Sequence, residues 1–129
     1  ATIEAVKNHQ PSRNLVACME LHTYRSLNKA FIRQYQGTMD KADIPMVYFN
    51  PDTIKHKNLE MLSKADVKAA FGNDRVQVYD DARQLYTDLM NLSMKETNML
   101  LMTSGNFNGI DLHELAGKLL QGADEIKRQ

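Results

Sequence analysis

Short apolar runs alternate along the chain with segments in which apolar residues recur every three or four positions. A short apolar run with polar residues at both ends is typical of a strand that is covered on both faces. Such runs predict four strands, at residues 14–20, 44–50, 75–79 and 98–104.

The segments between these runs have the spacing of amphipathic helices. Ser63 and Asp66 have the separation of a capping box, and Gly72 follows where a glycine commonly ends a helix. Alternating strands and helices predict crossover connections, and therefore one α/β domain with a three-layer, Rossmann-like fold and a mainly parallel sheet. The predicted helices cover residues 2–9, 27–36, 63–71 and 82–94, a weaker one begins at Pro51, and a last one begins at Asp111.

The composition fits a single globular domain. The chain has 129 residues, of which 43% are hydrophobic, so it can bury a core without disulfides or a structural metal. Its 16 basic and 16 acidic side chains cancel, which gives no broad attraction to nucleic acid or to anionic lipid. No apolar run is long enough to cross a membrane, and the first residues do not have the pattern of a secretion signal. We therefore expect a cytoplasmic protein with neither nucleic acid nor membrane as a partner.

Cysteine and histidine give no indication of a metal site. Cys18 lies in the apolar run LVACM, where we expect it to be an inert core residue. The four histidines and the one cysteine have none of the usual metal-ligand spacings. We predict that the chain holds no metal.

Ligands of open α/β sheets bind beyond the carboxyl ends of the strands, where loops and helix amino termini converge. Four segments of this chain occupy such positions: residues 20–28, 50–53, 80–81 and 103–108. Function is expected in these four segments.

The first of these segments is the most polar. Arg25, with the hydroxyls of Thr23 and Ser26, could hold a carboxylate, and His22 could orient or deprotonate an amine. The same residues also fit a polar loop in which Ser26 caps a helix and Arg25 is only solvated. The residue types leave both interpretations open.

The later segments are less specific. The sequence SGNFNG (104–109) permits a close approach of backbone to ligand, but it matches no phosphate-binding motif and also fits a turn without a ligand. Asp80 and Asp81 could bind Mg²⁺, although capping of the helix that begins near Ala82 is the favoured interpretation. The residues alone indicate a ligand-binding α/β domain and assign no catalytic residue.

Four stretches of the chain resemble, in sequence and spacing, the C-terminal domain of the Mur ligases, which build or recycle the peptide of bacterial peptidoglycan. The resemblance covers nearly the whole chain. It is strongest to members that join L-alanine, or more closely the recycled peptide L-alanyl-γ-D-glutamyl-meso-diaminopimelate, to UDP-N-acetylmuramate. The stretches are MELHTYRSLNKAF (19–31), DKADIPMVYFNP (40–51), VYDDARQLYTDL (78–89) and LLMTSGNFNGIDLHELAGKLL (100–120).

This resemblance implies that residues 1–129 are the substrate-binding domain of an ATP-dependent, amide-forming ligase, as a fragment without the domain's first strand and without the upstream ATP-binding domain. ATP and Mg²⁺ would be held mainly by that absent domain, so the fragment alone is not expected to be active. The amino acid or peptide, UDP-N-acetylmuramate and the upstream domains of the same chain are the implied partners. The residues implied to contact the substrate are His22, Tyr24, Arg25, Ser26, Asn28, Ser104, Gly105, Asn106 and Phe107.

Two alternatives stay open. A flavodoxin-like or receiver-like module for a small ligand or for signalling would use Asp80 and Asp81 as its acidic residues, although no lysine follows the fourth predicted strand. A domain that binds only protein partners would leave both polar loops in solvent.

Overall fold

A computed structural model describes residues 2–103 together with residues 109, 114, 115, 117 and 118. Its strands form one sheet in the order β3-β2-β1-β4, and each neighbouring pair is parallel. The sheet has helices on both faces, which confirms the three-layer, Rossmann-like α/β fold. The strands are β1 (Asn14–Leu21), β2 (Ile44–Phe49), β3 (Gln77–Tyr79) and β4 (Thr97–Met102).

The four complete helices of the described chain are α1 (Thr2–His9), α2 (Pro51–His56), α3 (Lys64–Phe71) and α4 (Ala82–Met90). Helix α1 precedes β1, α2 and α3 lie between β2 and β3, and α4 lies between β3 and β4. None of them is both long enough and apolar enough to cross a membrane. Glu114, Leu115, Gly117 and Lys118 are also helical, in the region of the helix that was predicted to begin at Asp111.

Two apolar cores lie on opposite faces of the sheet because successive side chains of a strand point to opposite faces. The first core packs beneath α1, α2 and α3, and the second packs beneath α4. Burial of apolar surface on both faces is the main source of stability in such a fold. The first core includes Ile3, Leu15, Ala17, Leu21, Ile32, Ile54, Val67 and Phe71, and the second includes Val16, Cys18, Met46, Tyr48, Tyr79, Leu85, Leu89 and Leu115.

Capping residues fix the helix ends as the sequence predicts. The hydroxyl of Ser63 accepts a hydrogen bond from Asp66 N, and the Asp66 carboxylate accepts one from Ser63 N, each at 3.0 Å. Gly72 ends α3 in the left-handed conformation, with φ at 64°. The Asp81 carboxylate accepts a hydrogen bond from Arg83 N at 2.9 Å, so Asp81 caps α4.

The helix predicted for residues 27–36 is wrong. The segment consists of turns followed by a short 3-10 helix, Ile32–Tyr35. The side chain of Asn28 accepts a hydrogen bond from Ala30 N at 2.8 Å, which offers the backbone an alternative to a regular helix. Backbone hydrogen bonds between residues three positions apart then follow, including Phe31 N to Asn28 O at 2.9 Å. The apolar residues that predicted a helix here lie in a loop that packs against the first core.

The largest differences in length between predicted and observed elements are at α4 and β3. Helix α4 ends at Met90 and not at residue 94, because Asn91 closes it with backbone bonds to Thr87 O and Asp88 O. Strand β3 begins at Gln77 and not at residue 75, because it pairs only with the short stretch from Met46 to Tyr48.

Candidate functional site

The strand order reverses between β1 and β4. From β1 the chain proceeds to β2 and β3 in one direction, and then returns to place β4 on the other side of β1. At such a switch point the loops after the two strands turn to opposite faces and leave a crevice that commonly holds a ligand. A flavodoxin-like or receiver-like sheet has β1 between β2 and β3, whereas β1 lies here between β2 and β4. The segments that follow β1 and β4 are therefore the candidate site.

The two segments begin side by side. Met19 of β1 is in register with Met102 of β4, so the next residues, Glu20 and Thr103, lie at the same level of the sheet. The hydroxyl of Thr103 donates a hydrogen bond to Glu20 Oε1. Glu20 is 7% exposed, whereas Thr103 is exposed. A buried carboxylate thus joins the ends of the two strands that flank the switch point.

The field of Glu20 acts on two buried groups of the second core. Burial raises the pKa of the Cys18 thiol to about 12, with a further contribution from Glu20. Burial, and then the charges of Glu20 and Asp81, raise the pKa of Tyr48 to about 12. Both groups stay protonated at neutral pH, so neither is an anionic nucleophile. Cys18 is a buried core residue, as the sequence predicts.

The residues after β1 form a compact turn, which we name the β1 loop (residues 22–28). Thr23 closes the turn, because its hydroxyl accepts a hydrogen bond from Ser26 N at 3.1 Å. The hydroxyl of Ser26 donates to Thr23 O at 3.0 Å, and Ser26 is only 3% exposed. Thr23, Ser26 and Asn28 therefore shape the loop with their own hydrogen bonds.

Three other residues of the β1 loop, His22, Tyr24 and Arg25, are more exposed than Ser26. Tyr24 is 54% exposed, Arg25 is exposed and His22 is half-buried. The guanidinium of Arg25 lies over the ring of Phe31, with Cζ 4.4 Å from the ring centroid. Within the described chain Arg25 forms no ion pair with an acidic residue. Contact with a ring face leaves the N–H donors on the edges of the guanidinium available for a carboxylate.

The structure therefore brings His22, Tyr24, Arg25, Ser26 and Asn28 together in one turn beside the switch point. The prediction that the glycine-containing segment lies beside them is untested, because Ser104, Gly105, Asn106 and Phe107 lie outside the described residues.

Sequence reasoning missed two contributors to the site. It placed Glu20 at the end of a strand and in the first candidate segment but gave it no role, although an acidic residue that ends a buried apolar run is itself a signal. It also placed Phe31 on a helix, whereas the ring is 38% exposed and supports Arg25.

The two remaining candidate segments serve the helices that follow them. The side chain of Asn50 accepts a hydrogen bond from Asp52 N at 2.9 Å and caps α2. Asp81 caps α4, which confirms the favoured interpretation, and Asp80 lies 4.0 Å from Lys64 Nζ. Across the residues that the structure describes, no three His, Cys, Asp or Glu side chains are grouped as metal ligands would be.

Open grooves are also present away from the switch point. One of about 620 Å³ runs along β3 and the start of α3, and is lined by Lys64, Lys68 and Asp88. Another of about 570 Å³ lies between the 3-10 helix and α3, and is lined by Arg33 and Asp66. Neither groove includes a residue of the β1 loop, so the switch point is a separate surface.

Comparison with known proteins supports the fold. No protein-family model and no curated protein matches the chain. The structure is similar to a domain assigned to a UDP-N-acetylmuramate:L-alanyl-gamma-D-glutamyl-meso-diaminopimelate ligase from Haemophilus ducreyi 35000HP, with a TM-score of 0.53 and 18% sequence identity. The similarity covers 91% of this chain and 78% of that domain. At this identity the similarity shows a shared fold.

Proposed function

We propose that this chain is the amine-substrate-binding domain of an ATP-dependent ligase of the Mur type, which joins an amino acid or a peptide to UDP-N-acetylmuramate. The observation that carries the proposal is an exposed cationic turn beside the switch point of the sheet. The shared fold with a domain assigned to such a ligase supports the same assignment. Within that family we propose the peptide-recycling type, which the four sequence stretches described above resemble.

The chemistry of the β1 loop suits one end of an amino acid or peptide. The guanidinium of Arg25 offers paired N–H donors to a carboxylate, and the ring of Phe31 beneath it lowers the entropy lost on binding. The half-buried imidazole of His22 lies in the same turn, and in this proposal it orients the amine of the bound substrate. We assign these residues to binding and orientation, and none of them to catalysis.

In the proposed reaction ATP activates the carboxylate of UDP-N-acetylmuramate as an acyl phosphate, and the amine of the incoming substrate displaces the phosphate to form an amide. ATP and Mg²⁺ belong mainly to another domain of the whole enzyme in this proposal, and the sequence has no Gly-Lys-Ser/Thr phosphate loop. This chain holds the amine and brings it to the acyl group, which lowers the entropic part of the barrier. Closure of the two domains would exclude the water that competes for the acyl phosphate. The nucleotide-linked substrate places the reaction in the cytoplasm.

A titration followed by NMR tests the proposal. We expect L-alanyl-γ-D-glutamyl-meso-diaminopimelate to shift backbone amide signals of residues 22–28, and L-alanine alone to show whether the amino acid suffices. Arg25→Ala should weaken binding about tenfold, which is the effect of losing one charge-assisted contact. Arg33→Ala is the matched control, because Arg33 is also exposed but lines the groove beside α3.

Two results would contradict the proposal. One is a set of shifts that avoids the β1 loop, or no binding of peptide or amino acid at millimolar concentration. The other is ATP hydrolysis by the purified 129-residue chain, since the proposal assigns phosphate chemistry to another domain.

A further inference from the structure

We propose that the open edge of β3 binds an extended, acidic segment of a partner protein, which adds to the sheet as a further strand. The inference concerns a surface away from the β1 loop and does not rest on the proposed function. Within the described sheet β3 pairs only with β2, so its other edge presents backbone N–H and C=O groups to solvent. An edge of this kind can bind an extended peptide through backbone hydrogen bonds.

A groove follows this edge. Its volume is about 620 Å³, and it is lined by the six consecutive residues 74–79, which include all of β3. Helix α3 forms one wall through Lys64, Ala65 and Lys68, and α4 contributes Asp88 to the other. These helices cover opposite faces of the sheet, so a strand added in the groove would continue the sheet between the two helical layers.

Strand β3 lacks the usual protection of an exposed edge. Edge strands of natural proteins commonly carry a charge or a proline, whereas the sequence of β3 is QVY. Gln77 is exposed and Val78 is half-buried. Because β3 has only three residues, pairing with its backbone gives a weak complex by itself. Side chains on the walls of the groove therefore have to supply part of the affinity and the specificity.

The wall formed by α3 carries two lysines. Lys64 and Lys68 are exposed and four positions apart, so they lie on the same side of the helix. This pair lowers the stability of α3, because like charges at this spacing repel and Lys64 lies at the positive end of the helix dipole. A contact of 4.0 Å between Lys64 and Asp80 offsets little of that cost, and Lys68 forms no ion pair within the described chain. The pair suits a ligand that brings acidic groups to it.

The opposite wall disfavours acidic groups. Successive side chains of a strand point to opposite faces, and Val78 packs with the core beneath α3 whereas Tyr79 packs with the core beneath α4. On the α4 side the carboxylate of Asp88 accepts hydrogen bonds from the Tyr79 hydroxyl at 2.7 Å and from Gln84 Nε2 at 2.8 Å. An added strand therefore needs acidic residues on the α3 side and uncharged residues on the α4 side.

The spacing of the lysines defines the sequence of the ligand. Four residues of a helix rise about 6 Å along its axis, at about 1.5 Å per residue. Alternate residues of a strand are about 6.8 Å apart, so acidic residues at positions i and i+2 match Lys64 and Lys68. A second copy of this chain fits less well, because antiparallel pairing of two β3 edges about an axis perpendicular to the sheet would bring the lysines of both α3 helices together.

The test uses the full 129-residue chain and a blocked peptide, acetyl-SVEVEVS-amide, as the probe. We expect the peptide to shift backbone amide signals of residues 64–68 and 77–79 in NMR spectra, and to leave residues 22–28 unchanged. The dissociation constant should be about 0.1 to 1 mM, as expected for a short strand with two exposed ion pairs. The peptide acetyl-SVKVKVS-amide should bind at least about tenfold more weakly, because its charges repel the lysines.

Reversal of the lysine charges should exchange this preference. Lys64→Glu combined with Lys68→Glu should weaken binding of the acidic peptide about tenfold and should gain binding of the basic one, which also shows that the variant is folded. Lys55→Glu combined with Lys95→Glu is the matched control, because it changes the net charge equally at two exposed lysines outside the groove. This control should bind the acidic peptide within about twofold of the unmodified chain.

Methylation of the peptide backbone separates addition to the sheet from attraction between charges. N-methyl groups on alternate residues remove the donors along one edge of an extended peptide. Methylation of the edge that faces β3 should abolish binding, whereas methylation of the other edge should leave the affinity within about threefold. Equal binding of the two methylated peptides would overturn the proposal, as would shifts that avoid residues 77–79 or a loss of affinity that the control variant reproduces. A dimer of the unmodified chain that pairs through residues 77–79 would assign the edge to a second copy and would also overturn it.

Discussion

The two edges of the sheet use similar charged residues for different purposes. At the amino-terminal edge, where the strands begin, charged side chains are bonded to other parts of the protein. At the carboxyl-terminal edge, the β1 loop directs an arginine and a tyrosine to solvent. The difference separates groups that stabilise the fold from groups that are available to a ligand.

At the amino-terminal edge each of these charged side chains forms hydrogen bonds with a neighbouring segment of the chain. Asp43 accepts a hydrogen bond from Leu15 N and forms an ion pair with Lys7 Nζ, both at 2.7 Å. Arg13 links the turn before β1 to β4, and Arg75 links the turn before β3 to the turn before β2. The acceptors of the two arginines are Asn98 Oδ1 and Thr97 O for Arg13, and Ala42 O, Asp43 O and Asp40 O for Arg75.

In the β1 loop, at the carboxyl-terminal edge, uncharged side chains form the hydrogen bonds with the backbone. Thr23, Ser26 and Asn28 supply the hydrogen bonds that shape the β1 loop. The charge of Arg25 is not needed for this purpose, since its contact in the described chain is the ring of Phe31. Loops held by a rigid scaffold in this way commonly carry binding residues. Substitutions at the two edges should therefore have opposite effects on stability and on binding.

The largest change in stability is expected from Asp43→Ala. The substitution leaves the buried Leu15 N–H without its acceptor and Lys7 without its ion pair, at a cost of about 2 to 3 kcal/mol in the free energy of unfolding. Denaturant unfolding monitored by circular dichroism measures this loss. Asp52→Ala is the control at the opposite edge, where an exposed aspartate in the first turn of α2 should contribute less than about 1 kcal/mol. Equal losses would remove the distinction between the edges.

The next effect is a dependence of stability on pH. The hydrogen bond from Lys7, then the one from Leu15 N and the charge of Arg75, lower the pKa of Asp43. A carboxyl with a lowered pKa in the folded state contributes stability that is present above its unfolded pKa and is lost as the pH falls through the folded value. We expect stability to fall below about pH 4, by about 1 kcal/mol or less from Asp43, since its side chain is 38% exposed and solvent screens the pair.

Asp43→Asn should lose part of this acid sensitivity, as measured by thermal unfolding between about pH 2 and pH 6. Asp66 has a lowered pKa as well, from its hydrogen bond with Ser63, and it titrates in both proteins. The difference between the two pH profiles therefore isolates Asp43. Identical profiles would show that the amino-terminal edge does not depend on this charge.

Much of the fold can be predicted from interactions between residues that are close together in the sequence. The apolar runs identify all four strands, and the capping residues Ser63 and Asp81 mark the starts of α3 and α4. These signals succeed because strand burial and helix capping depend on residues within a few positions of one another. The same local reasoning fails for residues 27–36. The apolar residues there have helical spacing, but the Asn28 side chain accepts a hydrogen bond from Ala30 N and the segment forms a loop with a short 3-10 helix.

The site is only partly predictable because its assembly is not local. Polar residues after β1 indicate a candidate turn, but the strand order that places β4 beside β1 depends on contacts between distant parts of the chain. The bond between Glu20 and Thr103 joins residues 83 positions apart, so no spacing rule reveals it. The stacking of Arg25 on Phe31 also requires the loop that the sequence pattern presents as a helix.

The smallest change in stability is expected from Arg25→Ala, at the edge that we assign to binding. An exposed cation over an aromatic ring contributes about 0.5 to 1 kcal/mol at most, and removal of one solvated charge adds little. Denaturant unfolding should therefore give a free energy within about 0.5 kcal/mol of the unmodified chain. Phe31→Leu is the companion variant, because it removes the ring and keeps the apolar bulk, and it should be equally mild. A loss of 2 kcal/mol or more from either substitution would make the β1 loop a structural element like the amino-terminal edge, and the contrast between the two edges would then no longer separate stability from binding.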